Sequence, residues 1–115
     1  MTTAEDCLFC QIVAGEIPGD VVLSTDRVVA FRDVAPVAPT HVLVVPREHA
    51  SDAAATAAAD TALVGDLVAA AAEVAAADGL DDYRLVFNTG AGVGQSVFHT
   101  HLHVLGGRAM TWPPG

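Results

Sequence analysis

Gly94-Gln-Ser-Val-Phe-His-Thr-His-Leu-His-Val-Leu105 is the stretch from which the fold is most directly read. Side chains on a β-strand alternate between its two faces, so the pattern predicts a strand over 97–105 with His99, His101 and His103 on one face. Successive rings on one face lie about 7 Å apart, too far for all three to bind one metal ion easily. A row of imidazoles at that spacing suits the oxygens of a polyphosphate or phosphoramidate.

The sequence around this strand favours an anion-binding site. Gly90-Ala-Gly-Val-Gly94 immediately precedes the histidine stretch, and glycines let the backbone approach a ligand closely. No carboxylate follows Asp82, whereas Arg84, Arg108 and three of the 5 histidines do. An anion would therefore meet no fixed negative side chain in the sequence after Asp82.

The rest of the sequence predicts an α+β domain that occupies residues 1–115. Apolar spacing predicts a short N-terminal helix over 5–14 and a long alanine-rich helix over 51–78, each followed by a glycine. Runs of β-branched residues predict four further strands, namely Val21–Ser24, Val28–Arg32, 41–45 and 83–88. Helices segregated from a mainly antiparallel five-stranded sheet are typical of the α+β class.

Composition argues against several classes of protein. The net charge of −9 disfavours nucleic-acid binding, which uses a basic surface. No apolar run approaches the roughly 18 residues that span a bilayer, and the acidic start lacks the features of a secretory signal. We therefore expect a cytoplasmic protein that binds no membrane. Cys7 and Cys10 form a C-x-x-C pair, which leaves metal ligation, redox chemistry and two buried thiols open.

The sequence resembles the histidine triad (HIT) superfamily. Residues 99–105 are similar to that family's signature, H-φ-H-φ-H-φ-φ with φ apolar, and Thr100 occupies the first φ position. Further segments resemble the Hint branch, namely Glu16-Ile-Pro18, Phe31-Arg-Asp33, Ala38-Pro-Thr-His41 and Trp112-Pro-Pro-Gly115. The resemblance implies a HIT-like fold and a two-fold homodimer in which two sheets form one continuous ten-stranded sheet.

The resemblance also implies an enzyme that hydrolyses purine nucleoside 5′-phosphoramidates or related nucleotidyl conjugates without a catalytic cofactor. His101 would be the nucleophile, His103 would donate to phosphate oxygens, and Ser96 would contact the leaving group. Asp33 would accept hydrogen bonds from the ribose, and Trp112 would reach the partner protomer's site. The other implied nucleotide-binding positions are an apolar base slot and a phosphate-side set: Phe9, Ile12, Ile17, Phe31, Val34 and Leu43, and Asn88, Gly94, Gln95 and Val97.

Other interpretations of these residues stay open. Asp33 fits a turn before the proline-rich loop, and four of the apolar positions equally fit a hydrophobic core: Phe9, Ile12, Phe31 and Leu43. The alternative functions are a dinucleoside polyphosphate hydrolase, a nucleotide-binding regulatory module with incidental turnover, and a zinc-stabilised interaction domain. The terminal Trp112-Pro-Pro-Gly115 favours the phosphoramidate hydrolase. The role of His41 stays open.

Cys7, Cys10, His49 and His99 together offer the ligand set of a closed structural zinc site. The resemblance strengthens this interpretation, because many bacterial HIT proteins carry zinc at these positions. A zinc ion there would tie the N-terminal helix to the histidine strand. Since His99 could not then act as an acid or base, the chemistry would fall to His101 and His103.

Overall fold

Two faces of one antiparallel sheet organise the protein, whose computed structural model describes residues 6–115. The five strands are β1 (Val21–Ser24), β2 (Val28–Arg32), β3 (Thr40–Pro46), β4 (Tyr83–Phe87) and β5 (Leu102–Gly106). The α-helices are α1 (Leu8–Val13), α2 (Ala53–Ala59) and α3 (Thr61–Ala77), and a 3₁₀ helix spans Ala91–Val93. The strand order is β1-β2-β3-β5-β4, so the expected α+β fold with a five-stranded sheet is confirmed.

The main core lies between α3 and one face of the sheet. Leu67 of α3 is completely buried, and it belongs to one apolar cluster with Val42 and Val44 of β3 and Val104 of β5. Alanine has the highest helix propensity, and the leucines at 63 and 67 recur at helical spacing, so this segment forms a helix readily. Central strand β3 is buried along its whole length, which fixes where its neighbours can place their side chains.

A second apolar cluster lies on the opposite face of the sheet. Phe9 of α1 packs there against Phe31 of β2 and Leu43 of β3. The ring centroids of Phe9 and Phe31 are 5.3 Å apart in an edge-to-face arrangement, which aromatic pairs favour. A helix of six residues is too short to be stable alone, so α1 depends on these contacts.

The prediction of one helix over 51–78 is wrong, because the segment forms two helices. Asp60 separates α2 from α3 with an extended backbone, φ −159° and ψ 95°. Its N–H still donates to the carbonyl of Thr56, and its own carbonyl accepts from Leu63. The guanidinium of Arg27, in the turn between β1 and β2, binds the Asp60 carboxylate. Aspartate is favoured at helix starts, so Asp60 ends one helix and begins the next.

The other element boundaries are close to their predictions, except at the histidines. Both strands of the first hairpin have the predicted limits, β3 extends to Thr40–Pro46, and β4 ends at Phe87. Helix α1 covers Leu8–Val13, and position 5 of its prediction lies outside the described residues. The fifth strand was predicted from 97 but begins at Leu102, so that part of the prediction is wrong.

The early part of the histidine stretch bonds to a loop instead of a neighbouring strand. The N–H of Thr100 donates to the carbonyl of Ala50 across 2.8 Å. Of the three histidines in this stretch, only His103 lies on β5. The ring centroids of His101 and His103 are 4.9 Å apart, less than the roughly 7 Å expected for alternate residues of a strand. Among the described residues, no helix is long and apolar enough to cross a membrane.

Candidate active site and metal centre

A cavity of about 500 Å³ opens between α1, the end of β2, the middle of β3 and the glycine-rich loop. It brings together most of the residues predicted to bind a nucleotide: Phe9, Ile12, Phe31, Asp33, Val34, Leu43, Gly94, Ser96, Val97, His101 and His103. Four others are absent from its lining: Ile17, Asn88, Gln95 and Trp112. Phe9, Ile12, Phe31 and Leu43 pack in the second core cluster and also line the cavity, so a place in the core does not exclude contact with a ligand.

Five residues that the sequence pattern does not indicate also line this cavity. They are Leu8, Pro18, Gly19, Asp20 and Arg32. Pro18 and Gly19 lie just before β1, and adjacent proline and glycine signal a turn without showing what the turn contacts. Arg32 has its charge matched, because its guanidinium makes two hydrogen bonds of 2.9 and 3.0 Å to the Asp78 carboxylate.

The imidazole of His101 has its lone pair on Nε2. Its Nδ1 lies 2.8 Å from the carbonyl oxygen of His99, and a carbonyl only accepts, so Nδ1 carries the proton and donates. Burial lowers the pKa of His101 below its ordinary value, which keeps the ring neutral near pH 7. The ring lines the cavity, so a neutral nitrogen with a free lone pair is available there.

His103 carries its proton on Nε2, and a chain of hydrogen bonds fixes it there. The N–H of Val37 donates to Nδ1 of His41 across 3.1 Å, so a neutral His41 carries its proton on Nε2. That Nε2 donates to Nδ1 of His103 across 2.9 Å. The remaining nitrogen of His103 is therefore a donor, and it is buried without a hydrogen-bond partner among the described residues. An anionic oxygen in the cavity would satisfy it.

Burial keeps both rings of this chain neutral. It lowers the pKa of His41, against the opposing effect of the Asp33 carboxylate, whose Oδ2 lies 3.4 Å from His41 Nε2. It lowers the pKa of His103 to about 4, with smaller contributions from His101 and His41. Asp33, His41 and His103 have ligand atoms near enough to hold a metal ion. Because the facing nitrogens of His41 and His103 already share a proton, we interpret these two rings as a hydrogen-bonded pair with the Asp33 carboxylate beside it.

Cys7, Cys10, His49 and His99 converge on one point, with ligand atoms all within 4.8 Å of one another. Nδ1 of His99 lies 3.3 Å from Sγ of Cys7, 3.4 Å from Sγ of Cys10 and 3.3 Å from Nδ1 of His49. Tetrahedral zinc with ordinary bond lengths separates such ligand atoms by about 3.3–3.8 Å. The geometry therefore fits zinc.

The protonation of His99 also suits a metal ligand. Its Nε2 lies 2.8 Å from the carbonyl of Pro46 and must donate, which leaves Nδ1 as a lone pair facing the cysteines. Burial lowers the pKa of His99 to about 4. Burial also raises the pKa of Cys10 to about 11, with further contributions from its hydrogen bond to Cys7 and from electrostatic repulsion by Cys7. Without a metal, the cluster would thus hold at least one protonated thiol at neutral pH.

Helix α1 joins the metal-ligand cluster to the cavity. The sulfur of Cys7 accepts from the N–H of Cys10 and caps the helix. Between them, Phe9 places its ring edge-on to His99 and His101, with centroid distances of 6.1 and 5.1 Å. Helix α1 and its N-cap residue therefore contribute two candidate ligands and one wall of the cavity.

Gln95 and Trp112 lie differently from what a nucleotide contact would suggest. Gln95 is buried, its Oε1 accepts from the N–H of Gly90, and its Nε2 donates to the carbonyls of Ser51 and Val97. Both ends of its amide thus hold the glycine-rich loop in place. Trp112 is 83% exposed within a single chain.

Comparison with known proteins identifies the family of this chain. Residues 14–110 match the HIT domain family. An uncharacterized HIT-like protein of Synechocystis is 50% identical over 113 residues, which are 97% of this chain and 99% of that protein. A HIT family hydrolase from Legionella pneumophila has 49% identity and a TM-score of 0.90, covering 95% of this chain and 99% of that one. A HIT family hydrolase from Clostridium thermocellum has 39% identity and a TM-score of 0.91, covering 95% of this chain and 96% of that one. The chain therefore belongs to the HIT domain family.

Proposed function

We propose that this protein hydrolyses purine nucleoside 5′-phosphoramidates, or related nucleotidyl conjugates, through a covalent intermediate on His101. The observation that carries the proposal is the pair of imidazoles in the cavity, with centroids 4.9 Å apart. One ring offers a lone pair, and the other, His103, offers a buried donor without a partner. A nucleophile beside a donor for phosphate oxygens is what substitution at phosphorus requires.

The reaction has two balanced steps. Nε2 of His101 attacks the α-phosphorus, the new P–N bond to histidine forms, and the P–N bond to the substrate amine breaks. The departing nitrogen takes up a proton from solvent and leaves as an amine near Ser96. Water then attacks the same phosphorus and loses a proton to solvent, the P–N bond to His101 breaks, and the nucleoside monophosphate leaves while the electron pair of that bond returns to Nε2. Throughout, Nε2–H of His103 donates to a non-bridging phosphate oxygen.

The cavity supplies both a polar and an apolar subsite for the nucleoside. Asp33 accepts from the N–H of Ala35 through Oδ1, and its carboxylate faces the cavity, where ribose hydroxyls are suitable donors. Phe9, Phe31 and Leu43 provide an apolar slot for a base, and Val34 is fully exposed at its rim. Two of the similar solved structures are named hydrolases, which supports a hydrolase here.

The test is the turnover of adenosine 5′-phosphoramidate by wild type and by His101→Ala. We expect kcat/KM to fall by at least about 1,000-fold in the variant while adenosine monophosphate still binds, because only the nucleophile is lost. Val68→Ala, on the exposed side of α3, is the matched control and should retain wild-type kinetics. Wild-type turnover in His101→Ala would refute the nucleophile. Faster turnover of a dinucleoside polyphosphate would favour that alternative, and nucleotide binding without turnover of either would favour the regulatory module.

We also propose that Cys7, Cys10, His49 and His99 hold one structural zinc ion. When bound, zinc supplies a rigid cross-link between α1 and the segment that carries His99, and it leaves His101 and His103 free. The four ligand atoms and the assigned lone pair of His99 support this. Metal analysis of protein purified without chelators should find about one zinc per chain. A metal content near zero would refute the site.

We propose, finally, a cytoplasmic homodimer with one continuous ten-stranded sheet. The open edges of the described sheet are β1 and β4. Strand β1 pairs irregularly between Val21 and Leu23, whereas β4 is regular and offers a better template. The Arg84 side chain of β4 donates to the carbonyl of Thr111, so pairing through β4 would carry Trp112 toward the partner protomer.

A further inference from the structure

Helix α2 buries one side chain, and that side chain is polar. Thr56 is 2% exposed, and the six alanines of α2 are not part of the apolar core around α3. Its Oγ1 lies 2.7 Å from Oγ1 of Thr100, which is 1% exposed. Burying two hydroxyls is costly unless they bond to each other. The contact therefore fixes α2 against the histidine stretch more specifically than apolar packing would.

Thr100 lies in a segment that no strand ladder supports. The chain at 99–101 precedes β5, and it is held by bonds to the carbonyls of Pro46, the last residue of β3, and of Ala50 in the loop that follows. His99 donates to Pro46 through Nε2. Thr100 donates to Ala50 through both its N–H, at 2.8 Å, and its hydroxyl, at 3.3 Å. The position of His101 therefore depends on side-chain contacts made by the two residues before it.

We propose that Thr56 is a positioning residue for His101 and acts through Thr100. The inference rests on the proposed function, because His101 is positioned there as the nucleophile. The carbonyl of Ala50 can only accept a hydrogen bond, so the Thr100 hydroxyl donates its proton to that bond. The Thr100 oxygen therefore accepts a hydrogen bond from the Thr56 hydroxyl. This ordered chain of donors runs from Thr56 of α2 to Ala50 in the loop after β3, and it passes through Thr100, the neighbour of His101.

The contact is sensitive to the exchange of a single atom. Two hydroxyl oxygens approach to about 2.7 Å, whereas a methyl group needs about 3.5 Å from its nearest heavy neighbour. Replacing the Thr56 hydroxyl with a methyl group therefore displaces Thr100 by several tenths of an ångström. A displacement of about 1 Å at a reacting group costs up to about 100-fold in rate.

The first experiment compares Thr56→Val with Thr56→Ser by turnover of adenosine 5′-phosphoramidate. We expect kcat of Thr56→Val to fall about 10-fold while the Kd of adenosine monophosphate changes less than about two-fold, because ground-state contacts are kept. Thr56→Ser keeps the hydroxyl and should stay within about three-fold of wild-type kcat. A merely structural role would leave kcat of folded Thr56→Val unchanged well below its Tm, and that result would overturn the proposal.

A second pair of variants tests the same contact from the other side. Thr100→Val places a methyl group against Thr56 and should lower kcat about 10-fold. Thr56→Ala added to Thr100→Val makes room for that methyl group and should restore kcat to within about three-fold of wild type. Failure of the double variant to recover would overturn the proposal, even if Thr56→Val does not fold.

A spectroscopic readout separates this inference from the proposed function. Ring ¹⁵N shifts at fixed pH report which nitrogen of His101 carries the proton, and His101→Ala identifies the signals. Wild type should show the proton on Nδ1, and Thr56→Val should show altered or averaged shifts whether or not the protein turns over the phosphoramidate. An inactive wild type with this response would refute the proposed function and retain the positioning role. Unchanged His101 shifts in folded Thr56→Val would refute the positioning role alone.

Discussion

The proton on Nε2 of His103 is placed there by residues remote from the proposed phosphate. A neutral imidazole can donate from either nitrogen, so its neighbours decide what it does. Here the hydrogen bond from His41 fixes the tautomer of His103, and the hydrogen bond from the main-chain N–H of Val37 fixes the tautomer of His41. The arrangement supplies a hydrogen-bond donor to the cavity at neutral pH without placing a fixed positive charge there.

Replacing His41 should therefore weaken phosphate binding selectively. His41→Phe removes the donor to His103, whose ring is then free to carry its proton on Nδ1. We expect the affinity for adenosine monophosphate to fall about 10-fold, since a hydrogen bond to a charged group contributes roughly 1.5–3 kcal/mol. Calorimetry with adenosine, which lacks the phosphate, is the control and should show an unchanged Kd. An equal loss for both ligands would mean that the cavity itself has collapsed.

His103 should also make the protein sensitive to mild acid. Its folded pKa of about 4 lies below the ordinary value of 6.5. Above pH 6.5 the ring is neutral in both states and contributes nothing. As the pH falls from 6.5 to 4, the unfolded chain binds the proton first, so the free energy of unfolding decreases.

The variant His103→Gln isolates this contribution. Urea unfolding between pH 7 and 4.5 should show a shallower loss of stability for His103→Gln than for wild type, because glutamine does not titrate. Acid effects at other groups are common to both proteins. Parallel stability curves would show that the folded pKa of His103 is near its ordinary value.

Helix α1 is the element most dependent on the proposed zinc. Six residues do not form a stable helix alone, and Cys7 and Cys10 are two of its anchors. We expect a strong chelator to lower the Tm of wild-type protein by several degrees, since a ligand bound only to the folded state stabilises it. Cys7→Ser should melt at the lowered temperature and respond no further to the chelator. A chelator effect of equal size in both proteins would contradict the assignment of Cys7.

The end of α3 is tied to two strands through Asp78. Its carboxylate accepts two hydrogen bonds from Arg32 of β2 and one of 2.7 Å from the Thr40 hydroxyl of β3. The hydrogen bonds from Arg32 and Thr40 hold the pKa of Asp78 below its usual value. These bonds also fix the end of β2, where Asp33 enters the cavity.

Asp78→Asn should cost about 1–2 kcal/mol of unfolding free energy at pH 7, a value reduced because Arg32 is partly exposed. The ionised carboxylate stabilises the fold above its unfolded pKa of about 3.8, and that stability is lost as the pH falls through the lower folded pKa. The difference between wild type and Asp78→Asn should therefore persist at pH 5 and shrink below pH 3.5. The exposed Asp82→Asn is the control. A difference independent of pH would point to packing instead of charge.

At the scale of the whole molecule, the sequence predicts the elements that depend on local residue patterns and misses those that depend on contacts between distant segments. Runs of β-branched residues determine the strands, so the first hairpin has its predicted limits. The alternation of histidines fits a strand equally well, yet the bonds of His99 and Thr100 go to carbonyls about 50 residues away. The alanine-rich sequence likewise gives no sign of the helix break at Asp60, because the contact that stabilises this break comes from Arg27 in a turn distant in sequence.

The candidate site shows the same difference between features set by local sequence and features set by long-range contacts. The histidine pattern and the family resemblance identified most cavity residues, because their order along the chain carries the information. His41 lies among buried apolar residues of β3, and its partner His103 is 62 positions away. The register Leu43↔His103 and His41↔Leu105 makes the two imidazoles diagonal neighbours on one face. A sequence without the strand register cannot show that contact.

The assembled molecule should have twice the mass of one chain. Sedimentation equilibrium is expected to give about 23.4 kDa, against 11.7 kDa for the monomer. Pairing through β4 buries its free backbone edge, and Trp112 should then become less exposed than its 83% in one chain. Quenching of its fluorescence by iodide should therefore weaken as protein concentration crosses the dissociation constant. A monomer at all concentrations would refute the homodimer.

His99 serves two partners through two different parts of one residue. Its side chain faces the cysteines, while its main-chain carbonyl accepts a hydrogen bond from Nδ1–H of His101. Every amino acid has that carbonyl, so a mutation at this position that preserves the backbone alters the metal-ligand set and keeps the acceptor. A lineage that exchanges His99 would therefore lose one of the proposed metal ligands and the side-chain bond to Pro46, yet keep the main-chain acceptor that fixes the tautomer of His101, the proposed nucleophile.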